Sequence, residues 1–192
     1  MHCGMTHRFA VVRLLVLATI WLCGSGSLLA QTFSTIYLFG GGGSPRGTLV
    51  EGKDGNLYGT TYGYGGRNNG MIFKITPGGT FTTLHSGGGT FQAGLTLGTD
   101  GNFYGTSVAG GPSAHGYVFK ITPSGTLTTL YNFGPLPDGY LPGTLVQGSD
   151  GNFYGTTLHL FSYTDGGGPG APPIQASNGN FYGSTSGGGS TG

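Results

Sequence analysis

Short runs in which apolar and polar residues alternate are separated by glycine-rich turns along most of the chain. Alternation over four to eight residues is the signature of a β-strand that is buried on one face. In the run 71–75 it places Met71, Phe73 and Ile75 on the same face of a strand. The best-preserved group contains four such runs, at residues 49–51, 57–61, 71–75 and 81–84. The pattern therefore predicts units of four short antiparallel strands.

One phrase recurs four times and sets the period of these units. It is DGNLYGTT from Asp54, DGNFYGTS from Asp100, DGNFYGTT from Asp150 and NGNFYGST from Asn178, with starts 46, 50 and 28 residues apart. A four-stranded unit with a period of about 40 to 50 residues is typical of a propeller blade. We therefore expect an all-β fold, a partial or open β-propeller-like array of four-stranded antiparallel repeats of about 46–50 residues.

The Asp-Gly pair in this phrase predicts a tight hairpin, because a type I′ turn needs positive φ. An aspartate side chain also accepts backbone N–H bonds in such a turn, and asparagine does the same. Calcium would require several oxygen ligands in each loop. Since asparagine replaces the carboxylate in the last copy, we interpret the acids as turn residues (Asp54, Asp100, Asp150).

The copies differ in length, and this difference divides the chain. A tandem-repeat β domain is expected at 31–192, with the tail of a preceding unit at 32–46. The units follow at about 47–93, 94–142, 143–170 (shortened) and 171–192 (truncated). After Thr157 the sequence passes directly to a unit's tail at 158–161, so the third unit lacks its FKITP strand. Because closed propellers have four to eight blades, a fragment of a longer protein is favoured over an open array. The exposed edges of an open array would invite pairing with another chain.

The first thirty residues have the pattern of a secretory signal peptide. Arg8 and Arg13 precede a largely apolar run of ten residues at 14–23. Small residues at 24–27 and Ala30 follow, although Leu28 fits the small-x-small cleavage rule poorly. Ten residues are too few for a transmembrane helix. An uncleaved anchor and a lipoprotein attached through Cys23 are the weaker alternatives. We therefore expect a secreted, cell-surface or periplasmic protein.

Removing this segment changes the charge and the cysteine content. Arg8 and Arg13 are two of the seven basic residues, so five remain against six acids, a formal charge of −1. Without a basic stripe, nucleic acid and anionic membranes are not expected partners. Cys3 and Cys23 both lie in the segment, so no disulfide is expected in the mature chain. The 44 glycines and 10 prolines would suggest disorder without a period, but their regular recurrence favours turns between strands.

The complete unit resembles a known repeat. The order DGN-[LF]-YGT, a glycine loop, G-x-[VI]-FKITP-x-G-T-[LF]-TTL and an aromatic residue is similar to the GloVer (Gloeo_Verruco-type) tandem repeat of secreted bacterial proteins. The resemblance covers essentially all of residues 32–186. It implies a β-propeller-like array in an extracellular setting. It brings no established catalytic residues.

Histidines and lysines mostly repeat with the unit. His85 and His159 stand where other copies have tyrosine, so we interpret them as packing residues, and His115 lies in a glycine loop. Zinc would need three or four converging ligands, and no spacing provides them. Lys74 and Lys120 occupy equivalent positions in the FKITP strand, where their stems can lie on apolar surface. We expect no metal site.

The tyrosines of the phrase form the most regular aromatic series. They are Tyr58, Tyr104, Tyr154 and Tyr182, each followed by glycine. They are candidates either for packing between units with the hydroxyl bonded, which we favour, or for a platform on which a sugar or peptide ligand stacks. The adjoining glycines suggest a close approach or a bulge.

These patterns favour an exported, non-catalytic binding or structural scaffold. The chain contains no G-x-S-x-G elbow, no His-Glu-x-x-His and no phosphate loop, so no catalytic or cofactor-binding residue is assigned. Variable loops at 62–69, 108–115 and 134–141 would select a glycan, a peptide or a surface protein, and open β edges would permit self-association.

Two other hypotheses remain open from the sequence. One is a propeller-type lyase or hydrolase whose site exists only in a longer protein. Its non-repeating candidate residues are Asp138, Asp165 and His115. The other is an inactive truncated copy, which the missing strands after Thr157 favour.

Overall fold

The structure, a computed structural model, describes residues 34–39, 43–63, 69–134, 143–156, 167–169 and 171–187. Within these ranges all regular secondary structure is β-strand, and no helix occurs. All pairings between these strands are antiparallel. The expected all-β array of antiparallel repeats is therefore confirmed.

The first unit forms a five-stranded sheet. Its strands are β1 (Gly43–Pro45), β2 (Val50–Glu51), β3 (Leu57–Gly63), β4 (Met71–Ile75) and β5 (Phe81–Ser86). Their order is β1-β3-β4-β5. Both β1 and β2 pair with the edge of β3 that faces away from β4, β1 near the end of β3 and β2 near its start. The extra strand β1 was assigned from the sequence to the preceding unit. It joins this sheet because β3 extends beyond the expected end at Thr61 and offers it an unpaired edge.

The second unit has the four strands that the sequence predicts. They are β6 (Thr96–Leu97), β7 (Phe103–Ser107), β8 (Tyr117–Ile121) and β9 (Leu127–Asn132), paired in consecutive order. Three two-stranded pieces follow: β10 (Val146–Gln147) with β11 (Phe153–Tyr154), β12 (Gly167–Pro169) with β15 (Thr185–Gly187), and β13 (Ile174–Gln175) with β14 (Phe181–Tyr182). Within the described ranges no strand of the last unit pairs with the first, so the array is not closed.

The hairpin turn differs from the expected type. Gly55 N–H donates to the carbonyl of Gly52 at 3.0 Å, and Gly52 N–H donates to that of Asn56 at 2.9 Å. Gly55 has a φ of +74°, whereas Asp54 is outside the left-handed region. A type I′ turn needs positive φ at both central residues, so that prediction is wrong. The loop is one residue longer, and glycine alone takes the left-handed position.

The largest apolar cluster lies between the first two units. It combines Tyr58 and Ile72 of the first unit with buried residues from the linker and the second unit (Phe91, Leu95, Phe103, Tyr117, Phe119, Ile121). Phe73 and Ile75 point to a second cluster with Phe39. The predicted shared face is therefore confirmed for Phe73 and Ile75. Alternation did not predict burial of Ile72, which follows from the second unit covering that face.

A β-bulge occurs in the last strand of both complete units, β5 and β9. Phe73 pairs with Thr83 while Ile72 pairs with His85, which leaves Leu84 as the extra residue. The same shift follows Val118 in the second unit. The bulge that the tyrosine-adjacent glycines suggested therefore lies two strands away from them.

Candidate functional site

The repeated tyrosines stack on the next unit. Each ring lies against the phenylalanine that precedes the tyrosine of the following copy, and the three stacks are Tyr58–Phe103 at 4.0 Å, Tyr104–Phe153 at 3.9 Å and Tyr154–Phe181 at 3.9 Å between ring centroids. The ring planes differ by 30°, 26° and 27°. Stacked aromatic rings bury a large apolar area against each other. The same contact therefore joins every consecutive pair of copies.

In the first three copies the turn acid accepts a hydrogen bond from the hydroxyl of its own tyrosine. Tyr104 donates its hydroxyl to Asp100 Oδ2 at 2.9 Å, and Asn102 donates its backbone and side-chain N–H groups to the same carboxylate. The bond from Asn102, with the help of Tyr104, holds the pKa of Asp100 below its usual value. Burial, reinforced by Asp100, raises the pKa of Tyr104. The pair thus keeps a charged acceptor and a neutral donor at neutral pH.

Asparagine accepts the same backbone bond in the last copy but reverses the direction of the bond to the tyrosine. Asn178 Oδ1 accepts the backbone N–H of Asn180 at 3.0 Å, and its Nδ2 donates to the Tyr182 hydroxyl at 3.2 Å. This donated bond favours the phenolate and lowers the pKa of Tyr182. The interpretation of the phrase acids as turn residues is consistent with every one of these contacts.

Glutamines connect neighbouring turns. Gln147 Oε1 accepts the backbone N–H of Thr99 in the preceding unit at 2.9 Å, while its Nε2 donates to Gly151 of its own turn at 2.9 Å. Gln175 repeats both contacts with Ser149 and Gly179. Neither residue was predicted from the sequence, although both stand three positions before the turn acid or its asparagine equivalent.

Lysine and threonine add further bonds across the same boundaries. Lys53 Nζ donates to the carbonyl of Thr99 at 2.8 Å. Thr60 Oγ1 donates to the carbonyl of Ala93 at 2.8 Å, and Thr106 Oγ1 donates to that of Gly143 at 2.9 Å. Threonines of the recurring YGT triplet therefore bond at the unit boundaries, to the last residue before the second unit and to the first residue of the third.

Glycines make room for these contacts. A Cβ added to Gly105 would lie 2.6 Å from Cζ of Phe119 and 3.0 Å from Leu95. A Cβ added to Gly59 would similarly lie 2.6 Å from Phe73 and from Leu49. The close approach expected at these glycines is made by side chains of the same unit, because an aromatic ring packs directly on the glycine.

The four tyrosines differ in exposure. Tyr58 is 0% exposed and Tyr182 is 52% exposed, while Tyr104 and Tyr154 are half-buried. Tyr58 therefore offers no surface to a ligand, and Tyr182 presents the most open ring of the series. The hydrogen-bonded hydroxyls and stacked rings give the tyrosines a role in joining units.

The remaining candidate residues are not brought together. His85 Nε2 lies 3.2 Å from the carbonyl of Gly87. His115 is half-buried, and its Nδ1 is buried without a hydrogen-bond partner. Lys74 and Lys120 are half-buried, in accordance with solvated heads and packed stems. Three candidate residues lie outside the described residues: Asp138, His159 and Asp165.

Two features are absent from the described ranges. No group of three or more His, Cys, Asp or Glu side chains there is arranged to hold a metal ion. No helix in that part of the chain is long and apolar enough to cross a membrane.

The fold and its repeated contacts define a protein built from tandem β-repeats in a propeller-like array. The model of the Gloeobacter/Verrucomicrobia repeat matches residues 26–159. The chain belongs to this repeat family.

Similarity to proteins outside the family is limited to solved structures of low sequence identity. No curated protein matches the chain. Among solved structures, it is similar to a catalytically inactive virginiamycin B lyase from Staphylococcus aureus with quinupristin (20% identity, TM-score 0.46) and to the selenomethionine-substituted form of that lyase (19% identity, TM-score 0.45). Each alignment covers 74% of this chain and 41% of the lyase. The chain thus spans less than half of these proteins.

Proposed function

We propose that the chain is an exported, non-catalytic repeat scaffold whose loops bind a glycan, a peptide or a neighbouring surface protein. The observation that carries this proposal is the use of the recurring side chains to join units. Tyr58 is stacked under Phe103, Asp100 holds its own turn and tyrosine, and Gln147 connects two turns. Differences between units are left to the loops, which is where repeat proteins place recognition.

The loop 108–115 supports a recognition role because it is exposed and internally ordered. Residues 111–114 are exposed. Ala114 N–H donates to the carbonyl of Gly111 at 3.1 Å, and Gly116 N–H donates to that of Gly110 at 3.1 Å. Ala114 has a φ of +58°, which non-glycine residues rarely adopt. A loop held in one shape loses less entropy on binding.

A loop exchange tests this role. The loop 62–69 has the same length but the sequence YGYGGRNN in place of VAGGPSAH. Replacing only the exposed residues 112–114 (PSA) by their counterparts GRN keeps Gly110, where an added Cβ would collide with the carbonyl oxygen of Gly88. This exchange should change the ligands retained on an array of bacterial glycans and cell-wall peptides while the melting temperature stays within a few degrees. A Lys120→Arg variant, altered on a neighbouring strand, is the matched control. An unchanged ligand profile in the exchange variant would contradict the proposal.

The non-catalytic part of the proposal is tested on the same ligands. A bound ligand incubated with an equal amount of protein should be recovered at unchanged mass. The second candidate, a lyase or hydrolase, draws on one observation, the buried Nδ1 of His115 that has no partner. Ligand conversion that is abolished by His115→Ala would establish this candidate in place of the scaffold.

Export is supported by the basic and apolar N-terminal segment with its ten-residue run at 14–23. Expression of the full chain in a bacterial host should place it outside the cytoplasm with a new N-terminus near Gln31. Cytoplasmic protein that begins at Met1 would contradict export.

A further inference from the structure

The glycine before each turn lies under the tyrosine stack. A Cβ added to Gly52 would lie 2.7 Å from Tyr58 Cε2 and 3.2 Å from Phe103 Cζ. A Cβ added to Gly148 would lie 2.9 Å from Tyr154 Cε2 and 3.0 Å from Phe181 Cζ. The tyrosine ring would have to shift, and the contact with the phenylalanine ring would be tight. The stack between two units therefore depends on the absence of a side chain at this position.

The last copy has alanine at the equivalent position. Ala176 forms the same hairpin, since its N–H donates to the carbonyl of Asn180 and its carbonyl accepts the N–H of Gly179, both at 2.9 Å. Its methyl group thus stands at the position where Gly52 and Gly148 leave room for the two stacked rings. Tyr182 is 52% exposed.

We propose that Ala176 closes the Tyr182 face to a further aromatic hairpin of this repeat, and that this residue prevents head-to-tail stacking of two copies of the chain. The partner that such a face fits is defined by the three stacks already described. It is a hairpin with an apolar residue before its tyrosine and, as at two of the three boundaries, a side-chain oxygen acceptor three positions before its turn acid or the equivalent asparagine.

The first unit of a second copy carries this chemistry. Leu57 stands in the phenylalanine position, and Glu51 stands in the position of Gln147 and Gln175. The Glu51 carboxylate would accept the N–H of exposed Ser177 as Gln147 accepts that of Thr99. The two edges therefore match apart from Leu57 in place of phenylalanine and Ala176 in place of glycine.

Cysteine cross-linking tests the proposal, because Cys3 and Cys23 are the native cysteines and are changed to serine (C3S, C23S). One full-length chain carries Leu57→Phe and Glu51→Cys, and a second carries Ser177→Cys. The two are mixed under mild oxidation with Ala176 present or with Ala176→Gly in the second chain. The expected result is about tenfold more disulfide-linked heterodimer with Ala176→Gly.

An internal pair shows that the geometry and the fold are intact. Thr99→Cys with Gln147→Cys places the equivalent pair across an internal unit boundary, where the Thr99 backbone meets the Gln147 side chain, and should form an intrachain disulfide in both backgrounds. Equal heterodimer with alanine and with glycine at position 176 overturns the proposal. Absence of heterodimer in both backgrounds, with the internal disulfide formed, overturns it equally.

Discussion

At the scale of single residues, some glycines are required because a side chain would meet a neighbouring aromatic ring, and others because a turn needs positive φ. Gly105 lies in a strand without positive φ, yet a side chain at this position would meet Phe119 and Leu95. Gly183 occupies the same place in the last copy, and an added Cβ would have no atom within 4 Å. One glycine is required by packing, and the other is not.

Alanine at these two glycines should therefore have opposite effects. Gly105→Ala should destabilise the protein by about 1–3 kcal/mol, the usual cost of overpacking a core. Gly183→Ala should be neutral or slightly stabilising, because alanine restricts the unfolded chain. Urea unfolding followed by circular dichroism measures both. Equal losses would contradict the packing role of Gly105.

The turn acids make stability depend on pH. Hydrogen bonds from Asn102 and Tyr154, respectively, hold the pKa values of Asp100 and Asp150 below the usual range. Folding is then favoured by the charged carboxylates above the unfolded pKa of about 3.9, and this contribution is lost as pH falls through the folded pKa.

Replacing the aspartates of the three turns by asparagine should weaken the decrease of folding stability at acid pH. Asp54→Asn, Asp100→Asn and Asp150→Asn keep the backbone bond of the turn, as Asn178 shows. The variant should be less stable than the wild type at pH 7, and the difference should shrink towards pH 3. Melting temperatures measured from pH 3 to pH 7 give the result. A constant difference over this range would exclude the proposed linkage.

At the scale of the element, the unit boundary is a hairpin that contributes to two units. Its tyrosine stacks forward on the next unit, and its phenylalanine receives the ring of the preceding one, as Tyr154 and Phe153 do. Glutamine and threonine side chains bond across the same boundary. Stability should therefore couple residues in adjacent units.

A double-mutant cycle at the second boundary measures this coupling. Tyr104→Leu and Phe153→Leu each remove one ring of the stack. We expect a coupling free energy of about 0.5–1.5 kcal/mol between them, the range for aromatic pairs. Tyr104→Leu paired with Phe119→Leu is the control, since these rings are not stacked on each other. Additive losses at Tyr104 and Phe153 would contradict the stack.

The sequence predicted the strands, the repeat and the turn role of the acids, because these follow from local spacing. It did not assign the tyrosines to their partners, since Phe103 and Tyr58 are brought together only when units pack. The type I′ prediction was wrong because Asp-Gly predicts a tight turn without giving the loop length. Gln147 could have been found by its position three residues before the acid, which Gln175 shares relative to Asn178.

At the scale of the whole molecule, the first two units share one core while the later hairpins share less. Ile72 is fully buried in the first unit, and its equivalent Val118 in the second is half-buried. Leu84 is half-buried, whereas Leu130 at the same position is 50% exposed. In repeat proteins stability is the sum of unit and boundary contributions, so protection should decrease along the array.

The most direct test of this account is amide hydrogen exchange, measured by mass spectrometry, in the wild type and in Tyr58→Ala. Loss of this buried ring should cost about 3–5 kcal/mol. If the tyrosines join units, exchange should accelerate in β7 and β8 of the second unit as well as in β3 and β4. Acceleration confined to β3 and β4, with the second unit unchanged, would contradict the central claim that the repeated residues connect one unit to the next.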